Sequence, residues 1–151
     1  MIFFHIPSLY FFRIPMGSMV NSTLSSDHIL IKVRDFAKNF YDETDDLHGW
    51  GHIIRVLKLT EKIAKYYPVD SQTLEMGVIL HDIGRKGEKI QNRPHAELSA
   101  EIATSFMHSL QLDNRIISDV VHIILSHSFS LKISPESIEA KILSDADKLD
   151  A

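Results

Sequence analysis

Apolar residues recur at helical spacing along most of the chain. Leu30, Val33, Phe36, Ala37 and Phe40 share one helical face, with Ser26 or Asp27 ahead of them as a cap and an end near Tyr41. Ile53, Val56, Leu57, Ile63 and Ala64 mark a second helix over about residues 50–67, stopped by Pro68. A third begins near Ser71 and takes Leu74, Val78 and Ile79 to His81. Gly84 and Gly87 then interrupt the pattern, which predicts a basic loop over residues 85–93. Further helices are expected at about residues 95–110, 114–126 and 137–150, with Pro135 just before the last. No stretch alternates with the period of a strand, so the expected fold class is all-α.

Residues 1–20 do not fit this scheme. They hold Phe3, Phe4, Tyr10, Phe11 and Phe12, interrupted by Pro7 and Pro15. No Lys or Arg precedes the apolar run, as a signal peptide would require, and the run is too short and broken to cross a bilayer. Residues 1–20 are therefore expected to be an apolar extension outside the fold, with residues 21–151 as the domain.

Composition narrows the chemistry. The 151 residues suit one core, and 44% hydrophobic with 24% charged residues is ordinary for a globular domain. A net charge of −4 gives no general pull toward nucleic acid, while a local group of Lys and Arg can still bind phosphate. The absence of cysteine removes disulfides, thiolate metal sites and thiol nucleophiles, and fits a cytoplasmic protein. The nine histidines are left as the main candidates for chemistry.

Three segments concentrate them. His81-Asp82 leaves the apolar run Val78-Ile79-Leu80, so a carboxylate sits at the end of a buried helix, where it is costly unless paired or coordinated. Gly84 is placed to supply the turn that lets imidazole and carboxylate reach one cation. Next, His48-Gly49-Trp50-Gly51-His52 puts His48 in a loop and His52 in the first helical turn, with Arg55 one turn along as a cation for phosphate. Finally, Asp145, Asp147 and Asp150 crowd a helix C-terminus, where negative charge opposes the macrodipole unless a cation is near. Taken singly, each has a plain alternative: a helix-end His bonded to backbone, a surface His and Arg, a solvated acidic end.

Together, His52–Val56, His81–Gly84, His95–Ala100 and Asp145–Ala151 resemble the HD superfamily of metal-dependent phosphohydrolases, in particular small stand-alone members that read "HxxRV … HDIG … HxxxSA … DADKLDA". The resemblance covers about residues 25–151. It implies an HD-domain helical bundle with the metal between helices, and His52, His81, Asp82 and Asp147 as ligands of one divalent ion. Mn²⁺, Mg²⁺, Fe²⁺, Co²⁺ or Ni²⁺ suits that mixed set, and Zn²⁺ also fits. It further implies nucleotide or other small phosphate-ester substrates, with hydrolysis of nucleoside triphosphates to monophosphate and pyrophosphate as one form; the net charge and the short, broken apolar run leave neither a nucleic-acid nor a membrane partner expected. Asp82 would orient the attacking water. Of the cations Arg55, Arg85, Lys86, Lys89, Arg93 and Lys148, Arg55 and Lys148 are the expected phosphate holders.

Two features depart from the pattern. Relatives usually continue for several helices past the last Asp motif, so the domain is expected to lack its C-terminal helices. Arg85 stands where one nucleotidase branch has a Glu near the attacking water. His95, His122 and His127 are expected to line the pocket without holding a second ion, since His122 and His127 lie about 140° apart around a helix. His28 and His108 read as surface residues. A non-catalytic, metal-stabilised nucleotide-binding module is the alternative that the same ligands allow.

Overall fold

The computed structural model describes residues 25–151, so the expectation for residues 1–20 lies outside the described residues. Among the described residues seven α-helices follow one another: α1 (Ser26–Lys38), α2 (Trp50–Ala64), α3 (Ser71–Leu80), α4 (Arg85–Gln91), α5 (His95–Ser109), α6 (Asn114–His127) and α7 (Ile138–Asp150), with a 3₁₀ turn at Phe129–Leu131. There is no strand among the described residues, and no helix is long and apolar enough to cross a membrane. The protein is all-α.

α3 is the central element. Thr73, Leu74, Met76, Gly77, Val78, Ile79 and Leu80 are all buried, because α1, α2, α5, α6 and α7 pack around it. Burial of side chains such as Ile79 and Leu80 contributes about 1.5–3 kcal/mol each. Gly77 lets α6 approach closely: a Cβ there would come within 2.5 Å of the Ile123 side chain. Asp70 caps α3 by accepting from Gln72 N and Thr73 N, and Asp113 and Ser137 cap α6 and α7 in the same way. α1 is capped by Ser25 rather than by Ser26 or Asp27. It is tied to α3 by an Arg34–Glu75 ion pair and to α5 by the stacked rings of Phe36 and Phe106, 3.8 Å apart.

The basic loop expected at residues 85–93 is a helix, α4, over most of its length. None of its residues is buried, and Ile90 points to solvent, so it has no apolar face to reveal it in the sequence. It lies against α5, where Glu88 accepts from His95 N (3.2 Å) and from the His95 ring (3.0 Å). These contacts outweigh the roughly 1 kcal/mol cost of Gly87 in a helix.

Gly84 also plays a different part from the one expected. Its backbone is ordinary right-handed helical (φ −86°, ψ −4°), so the turn does not need a glycine. What needs one is close approach: a Cβ would lie 2.5 Å from Ser99 N and 2.7 Å from His95 O. Gly84→Ala is therefore expected to destabilise the fold by about 1–3 kcal/mol, as overpacking does, and to displace the start of α5. A melting temperature equal to that of the native chain would refute this.

Candidate metal centre

The ends of four helices and the start of α5 meet at one buried locus. α2 supplies His52 from its first turn, and the α3–α4 junction supplies His81 and Asp82. α5 opens with His95, α6 closes with His127, and α7 supplies Asp147 and Asp150. His81 is fully buried and Asp82 and His52 nearly so. The four residues expected as ligands thus lie together. Asp147 Oδ1 is 3.2 Å from His52 Nε2 and 3.6 Å from His81 Nε2, and Asp82 Oδ2 is 3.9 Å from His81 Nε2.

Hydrogen bonds behind the imidazoles set which nitrogen faces the centre. His81 Nδ1 donates to Val78 O at 2.7 Å, His127 Nδ1 donates to Ile124 O, and His52 Nδ1 donates to Asp150 Oδ2 at 2.7 Å. Each therefore turns an Nε2 lone pair inward. His52 Nε2 and His81 Nε2 are buried without a hydrogen-bond partner, yet both point at the Asp147 carboxylate. Lone pairs aimed at an anion in a buried place repel unless a positive charge lies between them. Among the described residues two groups have ligand atoms close enough to hold an ion: His52, His81 and Asp147, and His81, Asp82 and His127. His95 joins the second, its Nε2 3.4 Å from both Asp82 Oδ1 and His127 Nε2.

The titration behaviour follows the same logic. Burial pushes the His81 imidazole down, but Asp82 and Asp147 outweigh it and leave it raised. Burial pushes the Asp147 carboxyl up, and the nearby imidazoles of His52 and His81 override that and hold it far below the usual carboxylate range. Asp82 is likewise held well below its usual range by His81, His127 and Arg85 against the opposing effect of burial. Burial depresses His127. The locus stabilises positive charge, as a proton or as a cation.

Other residues stand apart from their expected places. Arg55 does not reach into the centre. It donates to Asp150 from Nε (2.8 Å) and Nη2 (2.9 Å), and to Asp46 O, behind His52. Arg85 donates to both Asp82 oxygens at 2.7 and 3.0 Å, and from Nη2 to His95 Nε2. The i, i+3 spacing of Asp82 and Arg85 was the available signal for that pair. His122 is not in the pocket: its Nε2 accepts from Glu136 N at 3.0 Å, on the side of α6 away from His127. Lys148 donates to Ser144 Oγ one turn back along α7, Lys86 and Lys89 are exposed, and Arg93 pairs with Glu97 and Glu101. His28 and His108 are at the surface, and His48 lies in the loop before α2.

Comparison with known proteins agrees with this architecture. The HD-domain family model matches residues 49–151. The 3'-5' exoribonuclease YhaM of Bacillus subtilis is 30% identical over 125 residues, covering 66% of this chain and 37% of that protein. Ribonuclease Y of Syntrophomonas wolfei is 28% identical over 100 residues, covering 66% of this chain and 18% of that protein. The chain thus spans little more than a third of the length of the YhaM protein it matches. The crystal structure of a predicted HD superfamily hydrolase from an uncultured Thermotogales bacterium superposes with a TM-score of 0.66. It is 32% identical, over 81% of this chain and 66% of that one.

Proposed function

The chain belongs to the HD-domain family, and from that premise we propose that it is a metal-dependent phosphohydrolase acting on nucleotides. The observation that supports this most directly is the pair of buried, unpartnered Nε2 atoms of His52 and His81 facing Asp147. HD domains bind divalent metals, and His52, His81, Asp82 and Asp147 would hold one ion here. His127 and His95 stand on the other side of Asp82, where Arg85 donates to both Asp82 oxygens and to His95 Nε2, which supports the single ion expected from sequence.

A divalent ion at this place would supply Lewis acidity to a phosphoryl oxygen and lower the pKa of a water. The chain's own residues do the rest. Val78 O, Ile124 O and Asp150 fix the imidazole tautomers. Arg85 clamps the Asp82 carboxylate in one orientation, and the burial of His81 and His127 keeps bulk water away. Lys148, beside Asp147 and free of any carboxylate partner among the described residues, would meet phosphate charge.

Substrate class is tested by a panel of nucleoside mono- and triphosphates and a short RNA, the last because YhaM and Ribonuclease Y are named as ribonucleases. Turnover is expected with added Mn²⁺, lost on chelation and restored by the metal. Binding of nucleotides without turnover of any member of the panel would favour the non-catalytic module instead.

A further inference from the structure

Beside the metal centre lies a cleft of about 270 Å³ between α7 and the end of α6 with the segment that follows it. That is near the lower end of the roughly 300–1,000 Å³ typical of small-ligand pockets. His127 and Ser144 lie at its wall, and Phe129, Lys132 and Lys148 stand around it. Its chemistry is specific in three respects. The first is Phe129, which is 90% exposed, an unusual place for a large apolar ring. The second is cation availability. Lys132 and Lys148 both line the cleft, and neither enters an ion pair among the described residues, as is true of the other lysines there. The third is continuity: His127 belongs both to this cleft and to the group with His81 and Asp82, and Lys148 follows Asp147 directly in α7.

An accessible aromatic face, two ammonium groups without a carboxylate partner and serine hydroxyls match the parts of a nucleotide: a flat base, a phosphate and a ribose. We infer that this cleft is a nucleotide subsite, with the base stacked on Phe129 and the phosphate held between Lys132 and Lys148 on the side toward His127. The inference rests on the phosphohydrolase reading only for the direction in which the phosphate points. The ligand is one nucleotide unit, whether free or at the end of an RNA strand.

The test uses the full chain loaded with Mn²⁺, with AMP, ribose 5-phosphate, inorganic phosphate and a four-residue oligoadenylate as probes, titrated into the native protein, Phe129→Ala and Lys132→Asn. Phe129 and Lys132 are surface residues, and Asn tolerates the left-handed backbone at position 132 (φ 54°), so both variants should keep native melting temperature and metal content. Native protein is expected to bind AMP about tenfold more tightly than ribose 5-phosphate, the usual scale of one base stacked on an aromatic ring. Phe129→Ala should abolish that margin without changing affinity for ribose 5-phosphate or inorganic phosphate. Lys132→Asn should weaken all the phosphate probes. A Phe129-dependent margin seen with oligoadenylate and not with AMP supports the subsite and assigns it to an RNA end. Equal binding of both base-bearing probes by native protein and Phe129→Ala, or binding of neither, overturns it. The two readings fail separately. Metal-dependent turnover with Phe129-independent binding removes the subsite alone, and Phe129-dependent binding without turnover removes the enzyme alone.

Discussion

His81→Ala is expected to lose its bound metal and to slow turnover about a thousandfold or more, the scale of removing several kcal/mol of transition-state stabilisation. His81 is the one residue common to both groups that could hold an ion, so its loss affects His52 and Asp147 on one side and Asp82 and His127 on the other. Its ring is also held in one tautomer by Val78 O, so no neighbour can replace its inward Nε2. The fold should suffer less than the activity. Truncating a buried side chain leaves a cavity, but here it also removes a buried nitrogen with no partner. The measurement is metal content after dialysis, with turnover and a melting curve on the same sample, and the exposed His108→Ala as a control. Normal turnover in His81→Ala would place the chemistry elsewhere in the molecule.

The sequence made the helices around the centre legible because each buries a periodic face. Ile53, Val56 and Leu57 in α2, and Val78 to Leu80 in α3, are buried as their spacing predicts. It hid α4, which buries nothing, and it could not place His127 or His95 relative to Asp82. Their approach depends on where α5 and α6 cross α3, and helical period within one element carries no such information. Arg55 shows the same limit. Its position one turn beyond His52 was readable, but a carboxylate from the far end of the chain, Asp150, takes its guanidinium. Gly84 was rightly singled out, although its need comes from the backbone of α5 and not from its own dihedral angles. Local pattern thus picked out most of the side chains that gather at this locus, while the residues behind them were set by tertiary packing.

The three aspartates of α7 provide the second large effect, because the helix separates them into three different environments. Successive residues turn about 100°, so Asp147 and Asp150 lie about 60° apart while Asp145 is about 160° from Asp147. Leu143 and Ala146 face the core, Asp147 and Asp150 flank that face toward α2, and Asp145 is exposed. Asp147→Asn replaces the charged oxygen nearest the inward Nε2 atoms of His52 and His81 with a neutral amide and should abolish metal binding. Asp150 sits behind His52, accepting its Nδ1–H, and is itself held by Arg55 against the unfavourable end of the helix dipole. Asp150→Asn should therefore weaken metal affinity about 10–100-fold without removing a ligand, as loss of a carboxylate behind a ligating imidazole generally does. Arg55→Ala should weaken it in the same direction by less, since the Asp150–His52 bond survives. Asp145→Asn should change nothing. Metal dissociation constants for the four variants give the order directly, with no need for a substrate. If Asp145→Asn strips the metal and Asp147→Asn keeps it, α7 has a different register against α2, and the centre described above does not form.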